Sequence, residues 1–276
     1  MPEPLRTYHG NCHCGGFRFE IETSEITKAT ACDCSLCAKK GYLWFKPESD
    51  VFTITRDGDL LTQYESKTLR DQFCSVCGTG VLGEHSKGPL KDQLLVNLRA
   101  VQGVNPFKLS RSETQQSEAE PREIDPLPVE RDAAPALHAG SCHCGKVRVE
   151  LLVPLSESKA KEDNCSSCDA YIGVYPNKDQ VRIHGRENTF EYLYGRKFNG
   201  IAHCKTCGVA VFNNVYGPPI SVFDTLPPER KEKVLEVYWK NMALQPLNVR
   251  ALDGIDLESV DIERTDEETE GYVLPE

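Results

Sequence analysis

Cysteine is the residue type through which this sequence can do chemistry. Thirteen cysteines occur in 276 residues, seven in the first half and six in the second. The first series runs Cys12-His13-Cys14, then Cys32-Asp33-Cys34-Ser35-Leu36-Cys37, then Cys74-Ser75-Val76-Cys77-Gly78. A C-x-x-C pair at a tight turn presents two sulfurs on one side, and the glycine after it permits the positive φ that such a turn often requires. Two close pairs supply four thiolates, the closed tetrahedral shell of a structural zinc ion. Cys12, Cys14, Cys74 and Cys77 are assigned to one such shell, and Cys142, Cys144, Cys204 and Cys207 to its counterpart. His13 and His143, each between two ligands, read as neighbours of the metal rather than ligands.

Three cysteines of the first series remain: Cys32, Cys34 and Cys37. Three clustered thiolates leave a fourth zinc position unfilled, the mark of a reactive rather than a structural site. Zn²⁺ with three thiolates carries a net negative charge, so it is a poor generator of hydroxide. A soft, electron-rich centre of this kind suits holding and exchanging a thiolate. The residues therefore favour a thiol-bearing substrate over simple hydrolysis. The alternative is a second structural site closed by a ligand that spacing does not reveal. Lys39 and Lys40 follow directly and are candidates to meet a substrate carboxylate or phosphate, the plain alternative being two lysines on a solvated loop. Ser35 is a candidate to hydrogen-bond a ligand sulfur. Tyr42 and Trp44 are assigned to core packing before a pocket wall. No acid–base residue is identifiable.

The elements that must position these residues occur twice. Gly10-Asn11-Cys12-His13-Cys14-Gly15 recurs as Gly140-Ser141-Cys142-His143-Cys144-Gly145, and Cys34-Ser35-Leu36-Cys37 as Cys165-Ser166-Ser167-Cys168. Cys74–Gly78 recurs as Cys204–Gly208, and Val96–Gly103 as Leu247–Gly254. The first three offsets are 130 or 131 and the last is 151, which marks an insertion of about twenty residues in the second copy. Alternation of apolar and polar residues in Phe17–Glu22 and Val147–Leu151 predicts strands. Tyr42–Phe45, Val51–Thr55, Leu94–Leu98, Val181–His184, Phe190–Tyr194 and Ile220–Phe223 are further strand candidates. Early prolines and a Val234, Leu235, Tyr238 stripe predict a helix over Pro227–Lys240. The fold class is all-β: a first zinc domain over 1–109, an irregular acidic linker over 110–137, a second zinc domain over 138–255 and an acidic tail over 256–276. The second domain carries a helical insertion at about 215–246.

The net charge of −10 sits mainly outside the two copies: residues 253–276 hold ten acidic residues against one basic. The near-neutral domains lack the basic footprint of a nucleic-acid binder. No stretch approaches the ~20 apolar residues that span a bilayer, and Met1–Arg6 lacks the apolar run of a secretory signal. The expectation is a cytoplasmic protein, with a nuclear one also compatible, that acts on neither nucleic acid nor membrane. Thiols stay reduced in such compartments, and an odd cysteine count precludes complete pairing. Oligomeric state is left open.

In order and spacing the first copy resembles the glutathione-dependent formaldehyde-activating enzyme family, which includes centromere protein V. The family pattern G-x-C-x-C-G, C-x-C-S-x-C-x-[KR]-x-G and C-x-x-C-G reads here as Gly10–Gly15, Cys32–Gly41 and Cys74–Gly78. The resemblance implies a zinc-pinned β-tent and carbon–sulfur lyase-type chemistry, making or breaking a bond between a thiol such as glutathione and an aldehyde or related electrophile. It also implies that the four-cysteine zinc is structural and that Cys32, Cys34 and Cys37 hold the reactive zinc, where the thiol or its adduct binds. The second copy departs from the pattern, with Asp163 standing where Cys32 stands in the first. An Asp163, Cys165, Cys168 site, a vacant one, or an oxidisable Cys165–Cys168 pair are the alternatives there. The loop that follows, Asp169–Gly173, lacks the basic residue and aligns as one residue longer before its glycine. The rival reading is a non-catalytic zinc module that binds a protein.

Overall fold

A computed structural model of the chain describes residues 4–48, 50–114, 135–164, 170–266 and 274. The fold grows from strands whose alternation buries one face. Phe17, Phe19 and Ile21 point into the core while Arg18 and Glu20 lie between them at its margin. This strand, Phe17–Thr23, pairs antiparallel with Arg6–Asn11 and with Phe52–Asp57 in a three-stranded sheet. A seven-stranded sheet covers it, in the order Ser110–Thr114, Lys28–Cys32, Trp44–Phe45, Leu94–Asn97, Gly80–His85, Leu69–Cys74, Leu61–Glu65.

The second domain repeats this plan strand for strand. His138–Ser141, Arg148–Leu151 and Val181–His184 form its three-stranded sheet. Its seven-stranded sheet, from the counterpart of Ser110–Thr114 inwards, runs Ile262–Thr265, Ala160–Asp163, Ile172–Val174, Leu247–Asn248, Ala210–Val215, Asn199–Cys204, Thr189–Leu193. Even the register shifts recur, at Gln72/Phe73 and at Ala202/His203. Two mostly β domains in tandem, each with a cysteine cluster able to pin it, are what the sequence leads one to expect.

Three expectations need correction. The segments read as linker and tail each contribute an edge strand: Ser110–Thr114 runs parallel to Lys28–Cys32, and Ile262–Thr265 parallel to Ala160–Asp163. An edge strand is held by backbone hydrogen bonds and tolerates charged side chains, so its composition resembles a linker. The centre of the linker and most of the tail lie outside the described residues. Ile220–Phe223 forms a 3₁₀ turn rather than a strand. Pro218 and Pro219 stand immediately ahead of it, and proline cannot donate to a sheet ladder. The helix follows at Pro228–Met242. A second helix, Ser35–Lys40, lies in the first domain; it is too short for a hydrophobic period and ends at Gly41 with φ +60°.

The domains meet through matched contacts across a pseudo-two-fold. The Nδ1 of His13 lies 2.7 Å from the Tyr192 hydroxyl. Reciprocally, His143 places Nδ1 2.8 Å from the Tyr64 hydroxyl and Nε2 3.1 Å from Ser35 Oγ. Gly78 lies against His203, and its counterpart Gly208 against Phe73 and Lys40, each so close that a Cβ would clash. At the centre, Glu162 is 2% exposed and receives Arg99 of the first domain at 3.1 Å, with Arg250 at 3.5 Å and Arg264 at 3.1 Å from its own. Burial pushes its carboxyl up, but the three guanidiniums outweigh that and hold it below the usual range. One apolar cluster runs from Leu36, Tyr42 and Trp44 into the core of the second domain.

Candidate metal centres

Each domain gathers its quartet where two turns meet. In the first, Cys12 and Cys14 approach Cys74 and Cys77, with Sγ separations of 3.5 Å for Cys12–Cys14 and 3.6 Å for Cys14–Cys74. In the second, Cys142–Cys144 and Cys144–Cys204 stand at 3.5 and 3.4 Å, with Cys207 completing the group. With zinc–sulfur bonds of about 2.3 Å, tetrahedral corners are about 3.8 Å apart, so both groups have nearly the shape of a coordination shell. The amides of Phe17 and Val147 donate to Cys12 and Cys142 Sγ at 3.3 Å in each case. None of the described cysteines is in a disulfide.

The protonation of the quartets supports the same conclusion. Hydrogen bonds from the neighbouring thiols push Cys12 and Cys142 up and hold Cys14 and Cys144 far below the usual range. Contact with Cys12 lowers Cys77 to about 6, and contact with Cys142 lowers Cys204 to about 7. Sulfurs this close cannot all be anionic on their own. A divalent cation at their centre removes the conflict, so the donor set fits a metal ion. His13 and His143 sit beside the quartets as neighbours and are engaged by tyrosines of the opposite domain.

Among the described residues, the third cluster belongs to the first domain alone. Cys32 ends the strand Lys28–Cys32, Cys34 caps the helix Ser35–Lys40, and Cys37 lies one turn into it. All three thiols converge and are buried, at 7%, 2% and 2% exposure. Hydrogen bonding to Cys32 and Cys37 lowers Cys34 to about 2, and contact with Cys34 pushes Cys32 up to about 12. Burial raises Cys37. The Trp44 Nε1–H donates to Cys37 Sγ at 3.2 Å. His85 is the donor that sequence reasoning missed. It closes the strand Gly80–His85, and its Nε2 lies 3.9 Å from Cys37 Sγ. Cys32, Cys37 and His85 form a group with all donor atoms within 4.8 Å of one another. No spacing rule connects it to the cysteines; only the strand pairing Leu69↔His85 brings it there.

Lys39 and Lys40 do not stand free for a substrate. Lys40 is buried against Asp71 at 2.6 Å, with the Tyr42 hydroxyl on the other carboxylate oxygen, and it stacks over Phe73. Lys39 reaches across to Asp253 at 2.7 Å and to the Ala251 carbonyl at 3.3 Å. Of the two lysines that read as candidate substrate contacts or as a solvated loop, Lys40 serves the domain core and Lys39 a domain contact. Ser35, expected near a ligand sulfur, has its hydroxyl on His143.

The second domain lacks the surroundings as well as the cysteine. Asp163 ends its strand as Cys32 does, but Cys165 and Cys168 lie outside the described residues. Arg99 Nε donates to the Gly41 carbonyl, and Arg250 Nε donates in the same way to Ala170. Asn97 accepts from Leu43 N and Asn248 from Ile172 N. Gly41 therefore corresponds to Ala170, not to Gly173, and the intervening loop is shorter, not longer, in the second copy. Ala170 takes φ +71°, a conformation the sequence signals only when glycine holds it. Trp44 then corresponds to Gly173, which pairs with Asn248 as Trp44 pairs with Asn97. His85 corresponds to Val215 at the end of the matching strand.

No helix among the described residues is long and apolar enough to cross a membrane. A solved structure of a Rhodobacter sphaeroides protein, a structural genomics target, is similar at 20% identity, covering 45% of this chain and 99% of that one, with a TM-score of 0.30. Residues 7–111, from the first strand to the start of the edge strand Ser110–Thr114, match the family described as glutathione-dependent formaldehyde-activating enzyme. The first domain of this tandem chain belongs to that family.

Proposed function

We propose that the chain is a zinc-dependent enzyme of carbon–sulfur bond chemistry. It works in the first domain on a glutathione-like thiol and an aldehyde or related electrophile, forming or cleaving their adduct. The supporting observation is the asymmetry of the two domains. Both carry a quartet, but the first adds three cysteines, Cys32, Cys34 and Cys37, with the Trp44 N–H on Cys37. The second keeps Cys165 and Cys168 in sequence and has Asp163 in place of Cys32 and Gly173 in place of Trp44. Zinc bound to three thiolates supplies a soft centre that keeps a thiol in its thiolate form. Around it the chain's own groups exclude water and fix the sulfurs. The Trp44 N–H takes charge density from Cys37, and the helix Ser35–Lys40 holds Cys34 and Cys37 on one side. The quartets keep the two tents shaped, and the second domain buttresses the helix through Arg250, which donates to the Ala38 carbonyl at 3.4 Å.

The burial of all three thiols favours a second reading, a zinc module that binds a protein without catalysis. Exchange NMR on a mixture of glutathione and formaldehyde separates the two. The full chain should speed interconversion of free formaldehyde with S-hydroxymethylglutathione, and Cys32→Ser should abolish the acceleration. An unaccelerated exchange with zinc-loaded wild type leaves the binding module.

A further inference from the structure

We propose that His85 is a protein ligand of the ion held at Cys32, Cys34 and Cys37 when no thiol is bound. This rests on the reading that a metal ion sits there, and not on the reaction assigned to it. With zinc–sulfur bonds of about 2.3 Å and zinc–nitrogen bonds of about 2.0–2.1 Å, tetrahedral S and N corners stand about 3.6 Å apart. The observed 3.9 Å between His85 Nε2 and Cys37 Sγ is close to that edge. Cys32 completes the compact group, and the Cys34 thiol contacts both cysteines from beside it. Three donors, Cys32, Cys37 and His85, thus surround one small volume, and Cys34 adjoins it through its contacts with the two cysteines.

The environment of His85 fits a ligand better than a filler. Its side chain is fully buried among thiols, and imidazole nitrogen is the commonest protein ligand of metals. A neutral nitrogen adds a bond without adding charge to an already anionic centre. Trp44 stands edge-on to the ring at 6.4 Å while its N–H holds Cys37, so one indole orients two donors. In the second domain Cys32, Trp44 and His85 are replaced together, by Asp163, Gly173 and Val215, although the strands that carry them are retained. A residue present only to pack the sheet has no reason to vanish in step with the thiol. His85 then occupies the corner that three cysteines leave over, and a thiol reaches the ion only by taking its place.

The test is metal–proton correlation NMR on the full chain loaded with a spin-half cadmium isotope, in which each site gives its own metal resonance. The expected result is one resonance that correlates with β-protons of Cys32, Cys34 and Cys37 and with the imidazole protons of His85. In His85→Asn the imidazole correlation disappears while the two quartet resonances stay in place, which shows that the variant is folded. A three-cysteine resonance without any imidazole correlation in wild type overturns the proposal. Absence of cadmium from the cluster overturns both this proposal and the lyase reading. Glutathione is then added: an imidazole correlation that persists at saturating thiol upholds His85 as a ligand and sinks the lyase. Its replacement by glutathione β-protons upholds both.

Discussion

Glu162→Gln removes one negative charge and almost no volume from the centre of the domain contact. Arg99 and Arg250, 4% and 12% exposed, then face each other without a counter-ion, and only the half-exposed Arg264 can turn to solvent. Breaking a buried ion pair by removing one partner costs about 3–5 kcal/mol, because the remaining charge stays desolvated. For a chain of this size the loss corresponds to a fall in Tm of roughly 6–20 °C. The effect also has a pH signature. The Glu162 carboxyl is held below its ordinary value, so its stabilisation is complete above an unfolded pKa of about 4.3 and fades as the pH falls through the lower folded value. Wild type and Glu162→Gln should therefore differ fully at neutral pH and converge only in acid. Urea unfolding of both proteins across that range reads the difference. A gap below about 1 kcal/mol at neutral pH, the size of an exposed pair, would refute the reasoning.

Three further outcomes follow from named contacts. Elemental analysis should find three zinc ions per chain, one for each donor group, with Cys32→Ser retaining two; four ions, one of them lost in Cys165→Ser, would show that the second reactive site is intact. Lys40→Met should cost about 3–5 kcal/mol by stranding the fully buried Asp71, whereas Lys39→Ala, whose partner Asp253 is half-exposed, should cost less than about 1 kcal/mol; equal losses in urea titrations contradict this. Gly254→Ala has only its φ of +71° to overcome, about 1–2 kcal/mol. Gly208→Ala adds a Cβ 2.6 Å from Phe73 and should lose about 1–3 kcal/mol more on the same titration.

Much of the site was legible because metal ligation is local in sequence: two sulfurs one or two residues apart bind one ion only through a turn, and turns leave glycine behind. Repetition of the blocks made the tandem plan readable, and the alternation of Phe17, Phe19 and Ile21 made the first sheet readable. His85 was not legible, since a single histidine at a strand end has no spacing to its partners and reaches them through pairing with Leu69. The ion pairs of Lys39 and Lys40 were not legible, because charge in a sequence carries no information about burial and their partners Asp253 and Asp71 are remote in the chain. Ala170 misled the alignment because a left-handed alanine carries no mark in the sequence.

The crossed histidine–tyrosine contacts have a consequence for how such a chain can be divided. Each domain lends the other a phenol for the imidazole beside its cysteine quartet, so neither half is finished alone. A covalent tether keeps the mating surface at high effective concentration, so even a weak junction stays closed. With closure guaranteed by the peptide bond, one half can carry Asp163 where the other carries Cys32 and still serve as a permanent brace. Two separately expressed halves would have to meet by diffusion, and their assembly should depend on concentration as that of the intact chain does not.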